Sequence, residues 1–353
     1  MFDVITFGSA AQDIYLKSKK FLPVFNKTLT AKQGICLDLG SKIEVEDIFL
    51  SSGGGGTNTA ATFANQGLKV AWCGQVGEDC FGNLIIAELK KLKISPSFIL
   101  KTKNKLTNIS VFLTYPGKDR TILVYRGASD DLEKKDIPWQ KIKKTSWFYL
   151  APFSGKLANL TEDLINFAQK FKIKVAWNPG YDQLKFSKPV LERILKKIDI
   201  LILNQEEASL LTKIPFQKPA RRDPCFAGRQ IGSGGLGCRI LGPGREKEIF
   251  RKIDEMTKGI AIMTKGRDGV VVSDGKELYQ APSLRLKFVD ATGAGDAFGS
   301  GFVAGMIEKN NIIFAIQKAM ANSGFCVSQW GAQKGLLKKG ARYPKIKILK
   351  KRL

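Results

Sequence analysis

The residues best suited to chemistry lie in one stretch, Asp290-Ala-Thr-Gly-Ala-Gly-Asp296-Ala-Phe-Gly-Ser-Gly-Phe-Val-Ala-Gly305. A short apolar, β-branched run ending in Phe288-Val289 precedes it, and Ala, Phe and Val at helical spacing follow it up to Lys309. That pattern predicts a strand, a tight turn and a helix start. With nothing projecting from Gly293 and Gly295, successive main-chain N–H groups can converge just ahead of the helix. Unpaired amides and the positive end of the helix dipole make such a point attractive to an anion, typically phosphate. Asp296 is then the odd residue, because a carboxylate opposes a phosphate unless it takes a proton from whatever attacks that phosphate. Its other use is to cap the helix.

Composition narrows the chemistry further. The 353 residues contain no histidine, which excludes Ser-His-Asp triads, His-ligated zinc and imidazole proton shuttling. Acid–base work falls to carboxylates, lysines or tyrosines, and Asp296 fits that constraint. The six cysteines, at 36, 73, 80, 225, 238 and 326, form no Cys-x-x-Cys pair. No apolar stretch approaches the roughly 20 residues of a membrane span, and no basic-then-apolar leader opens the chain. The expectation is a reduced, cytoplasmic, soluble protein with no membrane partner. Net charge is +25, from 57 basic and 32 acidic residues. Such a surplus steers anions inward. The lysines are scattered along helix faces, and no stacking-aromatic motif or zinc module accompanies them, so a nucleic-acid partner is not expected.

Asp-x-Thr-Gly-Ala-Gly-Asp followed by a small, apolar helix resembles the carboxy-terminal signature of the PfkB/ribokinase family of carbohydrate and nucleoside kinases. A second, distant pattern, Gly54-Gly55-Gly56-Thr57-Asn58-Thr59-Ala60 with Gly67 and Gly77, resembles its amino-terminal signature. The match runs from about Gly8 to Gly335. The resemblance implies an α/β, three-layer α/β/α sandwich with a mainly parallel central sheet and a small β-sheet lid. It implies ATP-dependent transfer of the γ-phosphate to a primary hydroxyl of a small carbohydrate, ribokinase- or fructokinase-like, with a nucleoside as the alternative acceptor. Asp296 would be the general base, and the amides of Gly293, Ala294 and Gly295 would hold the developing charge. Two further readings come from other classes: an inactive ligand-binding homologue and a basic nucleic-acid binder.

Those groups need elements to position them. Asp3 to Gly8 predicts a buried first strand with Asp13 just past its end, where ligands gather in open α/β sheets; by resemblance Asp13 holds sugar hydroxyls. Ile35 to Leu50 and Asn108 to Tyr125 alternate apolar and polar residues, the second around the turn Pro116-Gly-Lys-Asp119, predicting strands with one wet face. They fit the lid, at about 13–50 and 107–127, which relatives often pair in a homodimer. Arg126 either reaches the acceptor or lies at the surface. Gly53 to Gly56 precede a helix expected from about Asn58 to Gln66, and by resemblance Gly54 and Asn58 bind the acceptor. Asp79 is read as a helix cap.

From Trp147 onward, strands at 147–150, 175–178, 200–204, 260–264 and 270–273 alternate with helical segments, indicating a parallel sheet covered on both faces. Asn204-Gln-Glu-Glu207 resembles the family's Asn-x-x-Glu element, which organises Mg²⁺ through water; one carboxylate suffices, since Mg²⁺ keeps several waters. Thr264-Lys265-Gly266-Arg-Asp-Gly269 resembles the nucleotide-contacting turn, with Asn322 the candidate beside the adenine. Asp290, Thr292 and Gly331 lie where relatives bind a monovalent cation, K⁺, through carbonyls. One segment interrupts the pattern. Residues 219–246 hold five arginines, seven glycines and no lysine, which predicts an inserted loop at about 216–248 within a single domain of 1–345, followed by a basic tail at 346–353. Gly232-Ser-Gly234-Gly-Leu-Gly237 matches G-x-G-x-x-G but lacks the preceding strand that a dinucleotide site requires.

Overall fold

A computed structural model describes residues 1–29, 32–116, 120–215 and 245–353. In chain order the strands and longer helices are β1 (Phe2–Phe7), β2 (Ala11–Lys17), β3 (Leu22–Phe25), β4 (Gln33–Cys36), β5 (Asp47–Gly53), α1 (Gly55–Asn65), β6 (Val70–Gly77), α2 (Cys80–Lys91), β7 (Ile99–Thr102), β8 (Asn108–Thr114) and β9 (Arg120–Tyr125). There follow β10 (Thr145–Leu150), α3 (Thr161–Lys170), β11 (Lys174–Trp177), α4 (Lys188–Leu195), β12 (Ile200–Asn204), α5 (Gln205–Thr212), α6 (Arg245–Met256), β13 (Ile260–Thr264), β14 (Val270–Ser273), β15 (Glu277–Ala281), α7 (Ala294–Lys309), α8 (Ile312–Cys326) and β16 (Leu349–Arg352).

Period-2 side-chain alternation sends successive residues of each central strand to opposite faces, and both faces are apolar, so helices must cover both. The ten-stranded sheet runs β16-β15-β14-β13-β12-β11-β10-β1-β6-β7. From β7 to β13 its neighbours are parallel, and β14, β15 and β16 add antiparallel edges. Ile5, Phe7, Phe148, Leu150 and Trp177 face a core closed by α3, α4 and α6. Val4, Trp72, Tyr149, Ile200 and Ile202 face the other, closed by α1, α2, α7 and α8. This is the three-layer sandwich expected from the sequence. Helices α7 and α8 are apolar almost all round, as an interior pair requires; Gly305 lets them approach until a Cβ there would lie 2.7 Å from the Ala315 Cα.

The lid is a separate four-stranded sheet, β5-β2-β8-β9, antiparallel except between β2 and β8. Strands β3 and β4 form their own hairpin. Between Cys36 and Asp47 no strand forms, so the alternation read over 35–50 overstated the lid there. Helix α1 begins at Gly55, three residues before the expected Asn58, because Gly54 at φ 94° supplies the N-cap turn. Asp79 caps α2, accepting from the Gly82 N–H at 2.7 Å.

Three expectations need correction. Phe288-Val289 joins no strand; the Val289 N–H donates to the Val327 carbonyl, so the glycine turn before α7 hangs from the end of α8 instead of a sheet ladder. The tail at 346–353 contributes β16, whose pairing with β15 gives its backbone groups partners and makes it a sheet edge. The loop expected to 248 ends sooner, because α6 already begins at Arg245, with Glu246 buried. Most of that segment, with its glycine fingerprint at 232–237 and Cys225 and Cys238, lies outside the described residues, as do 117–119 of the lid turn. Among the described residues the cysteines are free, and no helix is long and apolar enough to cross a membrane.

Candidate active site

Two helix N-termini meet at the site. Gly293, at φ 73°, turns the chain into α7, and a Cβ there would run into Ala332. The first intrahelical bond runs from the Ala297 N–H to the Gly293 carbonyl, so the amides before it need partners elsewhere. Ala294 finds one in the Ala291 carbonyl at 3.2 Å. Gly295 is exposed, with open space beside it. The capping alternative for Asp296 fails: Gly293 occupies the cap, no side chain caps α7, and the Asp296 Oδ2 instead accepts from the Asn58 Nδ2 at 2.9 Å.

Burial pushes the Asp296 carboxyl above the ordinary carboxylate range, offset in part by that amide. Asn58 is itself oriented by Gln333, whose Nε2 donates to the Asn58 Oδ1 at 3.1 Å. With its oxygen so engaged, the amide can present only N–H to Asp296. Gln333 was not legible in the sequence, since only the path of the loop after α8 brings it back to α1.

Asp13 lies within β2, not beyond β1 as expected, and is 3% exposed. Burial raises its pKa to about 7; a hydrogen bond from Ser110 lowers it, and the charges of Asp290 and Asp296 raise it further. Gly53 makes room for it, since a Cβ there would collide with the carboxyl. Gly54 starts α1 four residues before Asn58, so Asp13, Gly54, Asn58 and Asp296 come together as expected. Arg126 does not join them. It is exposed, its Nη1 donating to the Ser154 Oγ at 2.6 Å, and Ser154 passes the link to Asp130.

A cleft of about 1100 Å³ opens from the Ala294-Gly295 turn. Thr264, Gly266, Gly269, Asp290 and Phe298 line it, and Lys17, Thr114 and Arg120 of the lid reach into it. At its far end, Phe288, Leu284, Met320, Ser323 and Gly324 make an apolar slot, with the Arg267 guanidinium 4.7 Å over the Phe288 ring. Two residues expected at the nucleotide are elsewhere. Lys265 forms a buried ion pair with Glu246 at 2.9 Å, drawn there because α6 carries that carboxylate, so of the two cations on this turn it is Arg267 that lines the cleft. Asn322 is fully buried: its Nδ2 donates to the Ala297 carbonyl and the Thr62 Oγ1, and its Oδ1 accepts from the Leu337 N–H. One helix position further on, Ser323 faces the cleft instead.

Asn204 pairs with Thr264 across β12 and β13, which sets the Asn-x-x-Glu element beside the cleft. Asn204 caps α5 by accepting from the Glu207 N–H, and the Glu207 Oε2 accepts from the Asn204 N–H at 2.7 Å. Burial raises Glu207 to about 7. A half-buried carboxylate of that kind, acting with water, suits Mg²⁺ held chiefly by a triphosphate.

The group of Asp290, Thr292 and Gly331 is a different matter. Asp290 Oδ1 accepts from the Thr292 N–H at 3.0 Å and hydroxyl at 2.8 Å, and Oδ2 from the Gly331 N–H at 3.3 Å. The Arg120 Nε lies 3.8 Å from Oδ1. The carboxylate is thus met by donors and a guanidinium, whereas the monovalent cation expected here through carbonyls would engage main-chain oxygens.

Comparison with known proteins agrees with this geometry. The pfkB family carbohydrate kinase model matches residues 1–339. A ribokinase of Lactococcus lactis is 27% identical over 88% of this chain and 90% of its own length. An ATP-dependent 6-phosphofructokinase of Thermoanaerobacterium thermosaccharolyticum is 25% identical over 84% and 85%. The structure of Arabidopsis thaliana ribokinase complexed with ribose and ATP superposes with a TM-score of 0.73 at 20% identity, covering 96% of each chain. Between the family match over most of its length and the shared ribokinase fold, the chain belongs to the pfkB family of carbohydrate kinases, phosphotransferases with an alcohol group as acceptor.

Proposed function

We propose that this kinase transfers the γ-phosphate of ATP to a primary hydroxyl of a small sugar, with Asp296 as general base. The observation that carries the reading is the Asp296 carboxylate, half-buried, fixed by Asn58 and set beside the open Gly295 turn at the mouth of the cleft. Asp13 and Asn58 orient the acceptor through hydroxyl hydrogen bonds, and Asp296 takes the proton of the attacking hydroxyl. Unpaired amides at the start of α7 receive the charge on the transferred group. Bound through Glu207 and water, Mg²⁺ would supply neutralisation of the phosphate oxygens.

A small sugar is favoured over a nucleoside by the ring packing beside Asp13 on the lid. Tyr15 stacks on Phe112 at 4.3 Å, both under 5% exposed, and the pair lies two residues along the same lid face from Asp13 and Ser110, which crowds that side of the carboxylate. Two molecules are proposed to pair through the apolar outer faces of their lids.

The test is Asp296→Asn in a coupled ATP assay across pentoses, hexoses, their phosphates and nucleosides. Turnover should fall about 10²- to 10⁴-fold on the best acceptor, with its KM little changed. A variant turning over at nearly the wild-type rate removes Asp296 from this role.

A further inference from the structure

We propose that Arg120, carried on the lid, is the counter-ion of the buried Asp290 carboxylate and couples seating of the lid to the geometry of the phosphate turn. This rests on the kinase reading above. Asp290 heads the turn, four residues before Ala294, and its side chain is 1% exposed. The bonds that it accepts from Thr292 and Gly331 are all from neutral donors. Hydrogen bonds of that kind stabilise a buried carboxylate but leave its charge unbalanced, and a nearby opposing charge adds a Coulombic attraction to them. The Arg120 guanidinium, 3.8 Å away and itself 23% exposed, supplies it.

The source of that charge matters. Arg120 is the first residue of β9, and the pairings Lys17↔Thr114↔Arg120 and Tyr15↔Phe112↔Ile122 put it on the same face of the lid as Tyr15. Tyr15 approaches the same carboxylate: its phenol is raised by burial and by the charges of Asp13 and Asp290. Its ring also meets Trp330 edge-on at 5.9 Å. Trp330 precedes Gly331, where a Cβ would come within 2.8 Å of the Ser51 Oγ on β5. Lid and turn therefore share one seam, centred on Asp290. Lifting the lid withdraws Arg120 and leaves an uncompensated carboxylate at the root of the turn. The turn holds its shape only under the closed lid, which restrains ATP hydrolysis when no acceptor is present. Arg120 also occupies the electrostatic place that a monovalent cation would take, so the chain brings its own positive charge.

The decisive variants are Arg120→Met, Arg120→Lys, Asp290→Asn and the Arg120→Met/Asp290→Asn pair. Assayed in tetramethylammonium buffer, wild-type kcat should change less than about twofold on adding K⁺, since an ion with no preferred site shifts nothing. Arg120→Met should lose about 10- to 100-fold in kcat through misplacement of the turn. It should recover in part with added guanidinium or K⁺, and Arg120→Lys should fall between. A wild-type enzyme activated more than about tenfold by K⁺, or an Arg120→Met enzyme with undiminished kcat, overturns the proposal.

Two readouts do not depend on turnover. In Arg120→Met, hydrogen–deuterium exchange should quicken together in β8–β9 and at 290–296; acceleration of the lid alone, or of neither, overturns it. Unfolding midpoints of the single and double variants should be non-additive, and additivity overturns it. Absence of wild-type activity on every acceptor would sink the kinase reading separately, while exchange and the mutant cycle would still decide the ion pair.

Discussion

Asp13 shows how a residue proposed to bind the acceptor can strain the fold that carries it. Its pKa stands at about 7 against an ordinary 3.8, chiefly through burial. A carboxyl raised in the folded state contributes stability that is fully present below the unfolded value and is lost as pH rises through the folded one, here between about 4 and about 7. Asp13→Asn should therefore be more stable than wild type at pH 8, on the order of 2–4 kcal/mol, and gain little near pH 4. Thermal denaturation across that range checks it; a difference that does not vary with pH would assign Asp13 an ordinary pKa.

Lys265 makes the opposite case, a lysine that works for the fold although it lies on the turn expected to contact the nucleotide. Removing it in Lys265→Met leaves Glu246 buried with Gln280 as its remaining side-chain donor among the described residues, at a cost of about 3 kcal/mol. KM for ATP should move less than about threefold. A large KM effect without loss of stability would return Lys265 to the nucleotide.

At the scale of elements, the turn that leads into α7 and hangs from the end of α8 does the positioning. Its shape depends on Gly293 holding a left-handed φ against Ala332, a combination that no side chain tolerates cheaply. Gly293→Ala should cost about 1–3 kcal/mol in chemical denaturation. It should also lower kcat with little effect on ATP affinity, because the amides shift while the apolar slot at 284–288 and 320–324 stays intact. Glycine signatures made this turn and the start of α1 readable from sequence, since only glycine fits such positions. The lid strands were readable too, wherever one face is wet. Strand β16 was not, because a lysine-rich segment resembles a tail until a free sheet edge gives it partners.

Across the whole molecule, the lid's outer face stands out. The pairings Ile14↔Leu50, Ile14↔Val111 and Val111↔Leu123 align aliphatic side chains on one face, and Ile48, Leu50 and Leu123 are at least half exposed. A contiguous apolar sheet face of this kind marks an interface, and a second lid is the proposed occupant. Leu123→Asp should shift the protein toward monomer in sedimentation equilibrium; a wild type that is already monomeric at about 50 μM would remove the proposal.

The sequence by itself determined the layered sheet, the two glycine turns and the carboxylate at 296, because these follow from local periodicity and from conformations open only to glycine. Tertiary structure decided which polar groups reach the site. It turned Lys265 and Asn322 into the interior and left Arg126 outside. It also brought in Gln333 from the loop after α8 and Arg120 from strand β9 of the lid. Such meetings depend on how helices and sheet edges stack, and no local pattern of residues encodes that.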